Sequence, residues 1–258
     1  MKRMYQIISF LKYVLFSGHF RGDGIHSPFL FRQINVLFRE HKPYYCYAKI
    51  EKLRRALAHD NRMVFVEDYG TGNSRECRVS QIAKCSLPPK HAQLLFRLVN
   101  DRNPKYILEL GTSLGLTTSY LASVNSASVC HTIEGAPKLA ELAKQNFSKL
   151  YINNIEAHVG NIDEILPEVL KTLHTIDFAF FDANHTKEAT MRYFHLCLSK
   201  INGKSMFVFD DIHWSEEMAS AWNEIKNHPK VRVSLDVYEM GILYFDEELQ
   251  KGDFVVRF

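Results

Sequence analysis

Two groups of carboxylates and imidazoles stand out in this chain of 258 residues. Asp182 and His185 follow Ile176 and the apolar run Phe178 to Phe181, and Asp210, Asp211 and His213 follow Met206 to Phe209. Both runs read as buried strands, and ligands of open α/β sheets bind at the carboxyl ends of strands. Close carboxylates repel unless a cation or a proton lies between them. Two or three such oxygens suit Mg²⁺, Ca²⁺ or Mn²⁺, so Asp182, Asp210 and Asp211 form a candidate metal set. Two chemistries stay open. A divalent ion on Asp182, Asp211 and Asp210 would lower the pKa of a bound hydroxyl. Alternatively, His185 or His213 acts as a general base without metal. The plainer readings are a helix cap for His185 and a lid anchor for His213 and Trp214. With 12 histidines in the chain, chance neighbours are common.

A second constellation begins at Tyr106-Ile-Leu-Glu109-Leu-Gly111-Thr112-Ser113-Leu-Gly115. A buried-strand run ends in a glycine turn, and Leu114, Leu116, Tyr120, Leu121 and Val124 then follow helical spacing. Strand, glycine turn and helix make a loop for a nucleotide-type cofactor. Glu109 and Gly111 flank the point where backbone and ligand would meet. Glu134 lies 23 residues beyond Gly111, at the end of the next strand run, where an acid can accept hydrogen bonds from a ribose. The plainer reading of Glu134 is a surface acid capping the helix that starts at Ala136-Pro137. The Gly-x-x-x-Gly spacing fails the Gly-x-Gly-x-x-Gly dinucleotide pattern, which argues against NAD. Gly160-Asn161-Ile162-Asp163 follows a third strand run, and Asn161 there is also a natural helix cap. Val64 to Val66 followed by Asp68 to Ser74 imitates a strand and glycine loop, but no amphipathic helix is read after it. It is taken as a structural turn near the site.

These residues need a frame. Residues 1–62 read mainly as helices, broken at Gly18, at Gly22–Pro28 and at Pro43–Tyr47. Pro88-Pro89 marks a boundary, giving a helical N-terminal extension over 1–90 and a cofactor-binding domain over 91–258. In the latter, strand runs at 106–110, 129–133, 155–159, 176–182 and 205–210 alternate with helical patterns, after a helix at 91–100. The expectation is a Rossmann-like α/β fold: a mostly parallel, seven-stranded sheet covered by helices. A helix at 215–227 precedes two strands, Val231–Val237 and Ile242–Phe245, whose short connection forces an antiparallel hairpin. Phe254 to Val256 could extend that edge.

Glu109-Leu-Gly-Thr-Ser-Leu-Gly115, Glu134, Gly160-Asn161, Asp182 and Asp210-Asp211 together resemble the successive motifs of class I S-adenosylmethionine-dependent methyltransferases. The resemblance covers about 91–258, and the carboxylates after the fourth and fifth strands look like those of the catechol-type O-methyltransferases. It implies that Gly111, Thr112, Ser113 and Gly115 hold the amino-acid end of S-adenosyl-L-methionine and that Glu134 holds the ribose hydroxyls. Asn161 and Ile162 would border the adenine, and Asp182 would lie beside the sulfonium. The catechol-type pattern has Asp-Asn after the fifth strand where this chain has Asp210-Asp211, which leaves the metal open. Gly24-Ile-His26-Ser-Pro-Phe29 resembles the opening of a bacterial group within the class.

Composition sets further bounds. Five scattered cysteines without a Cys-x-x-Cys pair favour reduced thiols and a cytoplasmic protein. Met4, Ile7, Ile8, Leu11, Val14 and Leu15 form a helical stripe that Lys12 interrupts, so neither a membrane span nor a signal peptide is expected. The stripe needs a partner: the same chain, as a lid, or a second copy, as a homodimer. Residues 1–62 carry 12 Lys/Arg against 4 Asp/Glu, and the remainder 20 against 25. That basic front end could recruit RNA, an anionic glycan or a lipid, but its dispersed charges read more simply as a solvated face. There is no Asn/Asp-Pro-Pro-Tyr/Phe tetrapeptide and no Pro-Cys dipeptide, which argues against nucleic acid. The leading expectation is therefore O-methylation of a small-molecule hydroxyl. The alternatives are methylation of RNA or an anionic glycan or lipid, and a non-catalytic binding module. Tyr44, Tyr45 and Tyr47 are candidates for an aromatic acceptor pocket or, more simply, core. His26 is a candidate lid residue or merely exposed.

Overall fold

Helix α1 (Lys2–Phe16) follows directly from the apolar stripe. In the computed structural model, which describes residues 2–67, 69, 72 and 74–258, the chain divides into two compact units. The first joins Met1–Glu40 to Thr175–Phe258, and the second is His41–His174. Within the first unit α1 docks by its polar and aromatic side. Gln6 Nε2 donates to the carbonyl of Trp214 at 3.1 Å, Tyr13 Oη to that of Val256 at 2.8 Å, and Phe10 and Tyr13 pack on the ring of Tyr238. Met4, Ile7, Leu11 and Leu15 stay largely exposed, with Leu15 at 74%. Beyond the loop at His26, Ser27 caps α2 (Pro28–Arg32), and a π-helical turn, Gln33–Leu37, continues it.

The second unit opens with α3 (Tyr47–Leu57). An antiparallel hairpin follows, β1 (Met63–Val66) with β2 (Arg75–Arg78), and then the short α4 (Val79–Cys85). This corrects the sequence reading, which placed neither a strand nor a helix after the loop. Arg75-Glu-Cys-Arg78 carries no apolar alternation, because the hairpin is a mostly exposed ribbon. Of the connecting loop, residues 68, 70, 71 and 73 lie outside the described residues.

Helix α5 (Pro89–Arg102) leads into β3 (Tyr106–Leu110), and α6 (Leu116–Ala122), β4 (Val129–Glu134), α7 (Pro137–Leu150), β5 (Ile155–Val159) and α8 (Ile162–Thr172) follow. Strands β3, β4 and β5 pair in parallel, with Glu109 opposite Thr132 and Glu134 opposite Val159. Prolines at the starts of α5 and α7 suit helix entry, since the first turn has no intrahelical use for their missing N–H.

The remainder of the first unit is β6 (Phe178–Phe181), α9 (Lys187–Cys197), β7 (Met206–Asp210), α10 (Glu216–Lys226), β8 (Val233–Asp236), β9 (Met240–Tyr244) and β10 (Gly252–Val255). Here the strand order is β10-β8-β9-β7-β6, and in the second unit β3-β4-β5. All eight belong to one mostly parallel sheet. β9 runs antiparallel to both β7 and β8, which is the expected hairpin. The sheet has eight strands rather than seven, because the edge segment at Phe254 pairs in parallel with β8. Phe178, Phe180, Phe207 and Phe209 are wholly buried, and Phe181 stacks on Phe209 at 4.2 Å between centroids. Burying such rings supplies much of the drive for this half of the sheet.

Candidate active site

The glycine turn is held from below. Gly111 and Thr112 donate their amides to the carbonyl of Ile133, at 3.0 and 3.3 Å, tying the end of β3 to β4. Gly111, Ser113 and Gly115 have φ of 97°, 50° and 74°. A Cβ on Gly115 would lie 2.4 Å from Cε1 of Phe147 on α7, so glycine is required there by space as well as by backbone conformation. Glu109 is fully buried beneath the turn, and its Oε2 accepts hydroxyls from Thr118 at 2.5 Å and Thr132 at 2.6 Å. Thr132 in turn meets the hydroxyl of Thr112 at 2.6 Å. Glu109 thus supports the turn and lies beneath its surface. Thr118 and Thr132 were missed in the sequence. Only Thr132's place on the same strand face as Glu134 could have suggested it.

Glu134 closes the same turn. Its Oε2 accepts the amide of Ser113 at 2.7 Å, and its Oε1 that of Ala136 at 2.9 Å. The capping reading of Glu134 therefore holds alongside its contact with the glycine turn. Burial raises its pKa, and the amides of Ala136, Ser113, Gly135 and Thr112 pull it back down. The amides of Ser113 and Ala136 fix the direction in which the carboxylate points at the end of β4. Gly160 donates its amide to the carbonyl of Glu134 at 2.9 Å, which places the third-strand motif beside it. Asn161 caps α8, accepting the amide of Asp163 at 3.1 Å, and Ile162 is buried. The ring of Tyr69 lies against Gly135.

In the first unit the carboxylates gather around an imidazole. His185 Nε2 lies 3.5 Å from Asp182 Oδ1, and its Nδ1 lies 3.9 Å from Asp211 Oδ2. Thr186, not His185, caps α9. Asp211 is in the left-handed region at φ 54°, which turns its side chain out at the end of β7. Burial raises its pKa, while His185 and Lys2 lower it. Asp210 is pushed well above the usual carboxylate range by burial, then by Asp182, then by Asp211. A site of this kind favours an added cation or proton, and three carboxylates are hard oxygen donors of the type Mg²⁺, Ca²⁺ or Mn²⁺ takes. Among the described residues, however, these donors are not gathered within 4.8 Å of one another.

His213 turns elsewhere. Its Nε2 lies 2.8 Å from Asp236 Oδ2, and its ring stacks on Tyr238 at 5.2 Å. Asp236, at the end of β8, had no signal in the sequence. Trp214 is tied to α1 through Gln6 and lies under the ammonium of Lys2, 3.9 Å from the ring centroid, which matches the reading of an anchor. Tyr44 and Tyr47 pack with Phe96 in the second unit and read as core, whereas Tyr45 is 72% exposed. His26 is exposed.

Residues 108–212 match a family described as a methyltransferase domain. Over 136 residues the chain is 31% identical to the O-methyltransferase imqG of Aspergillus flavus, covering 50% of this chain and 54% of that protein. A protein-L-isoaspartate O-methyltransferase of Methanocella arvoryzae is 30% identical over 81 residues, covering 31% of this chain and 43% of that protein. The chain thus spans about half the length of the curated relatives it matches. The fold resembles that of an O-methyltransferase from Bacillus cereus solved with SAH, with a TM-score of 0.60 at 15% identity, over 95% of this chain and all of that one. It also resembles TomG of Streptomyces achromogenes, solved with SAM, with a TM-score of 0.60 at 17% identity, over 79% of this chain and 91% of that one. The glycine turn, the acid at the end of β4 and the carboxylates after β6 and β7 all fall within the segment that matches the methyltransferase-domain family, and the fold is the one these solved structures share.

Proposed function

We propose that this chain is an S-adenosyl-L-methionine-dependent O-methyltransferase acting on a small-molecule hydroxyl. The observation that carries the proposal is Glu134, whose two oxygens accept amides from the glycine turn and from the start of α7. An acid so fixed at the end of the second strand of the motif is preorganised for a ribose diol. Gly111, Thr112, Ser113 and Gly115 hold the amino-acid end of the cofactor. Gly160, Asn161 and Ile162 border its adenine. Glu109 holds the turn in shape.

The sulfonium is already an activated leaving group, so the protein's task is to align the acceptor oxygen with the methyl group and to take up a proton. His185, between Asp182 and Asp211, is the proposed base. The two carboxylates orient its ring and stabilise the imidazolium that forms. Asp182 also faces the cofactor. His213, paired with Asp236, acts by holding the segment after β7. A second reading keeps the reaction and places a divalent cation on Asp182, Asp210 and Asp211; the raised proton affinity of Asp210 supports it. Such an ion would supply Lewis-acid activation of the hydroxyl. The helices of residues 1–90 serve as lid, acceptor site or dimer contact, the exposed stripe of α1 being the surface for a second copy. No helix among the described residues is long and apolar enough to cross a membrane, and a cytoplasmic location fits the free cysteines.

The test is calorimetric titration of S-adenosylhomocysteine, with NAD as control. The expected result is binding near the micromolar range, about −8 kcal/mol at ~1 μM, and no heat with NAD. A folded sample that binds neither would overturn the proposal. Turnover that survives exhaustive chelation selects His185 over the metal.

A further inference from the structure

On β4 and edge strand β5 of the second unit lies a second set of donors, none of them among the residues assigned above. His131 on β4 and Glu156 and His158 on β5 share one face of the sheet. His131 is directly opposite Glu156 in the register, and His158 is two residues further along the same strand. His131 Nδ1 lies 3.3 Å from His158 Nε2 and 3.3 Å from Glu156 Oε2. All three donor atoms fall within 4.8 Å of one another, and among the described residues no other group of three His, Cys, Asp or Glu does so. The two imidazoles are stacked nearly parallel, with an interplanar angle of 13°.

The two separations from His131 fit one class of ion. In a tetrahedral site with metal–nitrogen and metal–oxygen bonds of about 2.0–2.1 Å, neighbouring ligand atoms lie about 3.3–3.4 Å apart. Without metal the 3.3 Å contact joins the two rings by a hydrogen bond. We propose that His131, Glu156 and His158 form a Zn²⁺ site with its fourth position open to water. Two imidazoles and one carboxylate are a known zinc donor set, whereas Mg²⁺ and Ca²⁺ prefer oxygen alone. The site is also accessible: Glu156 is exposed and His158 half-buried, while His131 anchors the cluster from within the sheet. A bound ion would clamp edge strand β5 to β4, the strand that ends in Glu134.

The experiment uses the full chain freed of metal by chelation. Zn²⁺ is titrated against a chromophoric chelator, Co²⁺ is added to a parallel sample as a spectroscopic probe, and melting is followed with and without Zn²⁺. The expected result is one tightly held Zn²⁺ per chain, a visible four-coordinate Co²⁺ spectrum and a raised Tm. The double variant Glu156→Gln/His158→Ala, which leaves buried His131 in place, should lose at least tenfold in Zn²⁺ affinity and lose the Co²⁺ spectrum. Asp182→Asn/Asp211→Asn should keep both. Absence of Zn²⁺ binding by the folded wild type would overturn the proposal. So would Zn²⁺ binding that survives in the first double variant and disappears in the second, because the ion would then belong to the carboxylates after β6 and β7. Neither result bears on S-adenosylhomocysteine binding, which tests the methyltransferase reading separately.

Discussion

Glu109 and Glu134 in the second unit and Asp182, Asp210 and Asp211 in the first are all carboxylates at or near strand ends, yet their surroundings are opposite in kind. The two glutamates meet donors: hydroxyls of Thr118 and Thr132 for one, amides of Ser113 and Ala136 for the other. The aspartates face one another, with His185 between two of them. The first arrangement satisfies its charges with fixed dipoles and suits a ligand that must be held. The second leaves repulsion that a proton or cation relieves, and suits a group that must change charge during the reaction. Substitutions in the two regions should therefore fail differently.

The largest separation is expected at His185. His185→Ala should lower kcat for a hydroxyl acceptor by about 10²–10⁴-fold, with S-adenosylhomocysteine affinity unchanged in calorimetry. If affinity falls in parallel with kcat, His185 is a structural support and the comparison breaks down. In the holding region the loss should fall on stability. Gly115→Ala forces a Cβ into the ring of Phe147 at a positive φ. The cost should be about 1–3 kcal/mol, read as a lower denaturation midpoint.

Glu134→Ala comes next. It should weaken S-adenosylhomocysteine by about tenfold or more, at least ~1.4 kcal/mol, because the charged acceptor proposed for the ribose is removed. Glu134→Gln should recover part of this, since its carbonyl can still accept an amide from the turn. Unchanged affinity in the alanine variant would remove the ribose assignment and leave Glu134 as a cap alone.

Much of this was legible in the sequence because the central sheet writes itself in runs of apolar residues. Tyr106–Leu110, Val129–Glu134 and Phe178–Phe181 are strands that the pattern marks to within a residue or two. The glycine turn was legible because its backbone positions demand residues that little else demands. The hairpin strand Arg75–Arg78 was not, since exposed ribbon residues carry no burial signal. Nor was the division of the two histidines after β6 and β7. Spacing places His185 and His213 alike at strand ends, but only the fold supplies Asp236 and Tyr238, which take His213. The stripe of α1 was correctly read as helical. Its docking through Gln6, Phe10 and Tyr13 was not, because a polar contact with distant residues leaves no periodic trace.

The smallest expected effect is the sharpest test of the second region. Asp210 holds its proton more tightly in the folded chain than in the unfolded one, through burial and the neighbouring Asp182 and Asp211 carboxylates. The folded state then binds more protons than the unfolded state above the ordinary aspartate value, about 3.9. By linkage, this group's contribution to stability is full below that value and is lost as pH rises toward its folded pKa. Asp210→Asn removes the penalty, so at neutral pH the variant should be more stable than wild type, by about 1 kcal/mol, and its stability should decline less as pH rises. Denaturant midpoints across that range give the answer. A divalent ion on the carboxylates would reverse the sign, because Mg²⁺ or Mn²⁺ lowers the pKa it faces and stabilises wild type more than Asp210→Asn. An Asp210→Asn variant less stable than wild type without metal would mean that the aspartates are as well satisfied as the glutamates, and the contrast between the two regions would fall.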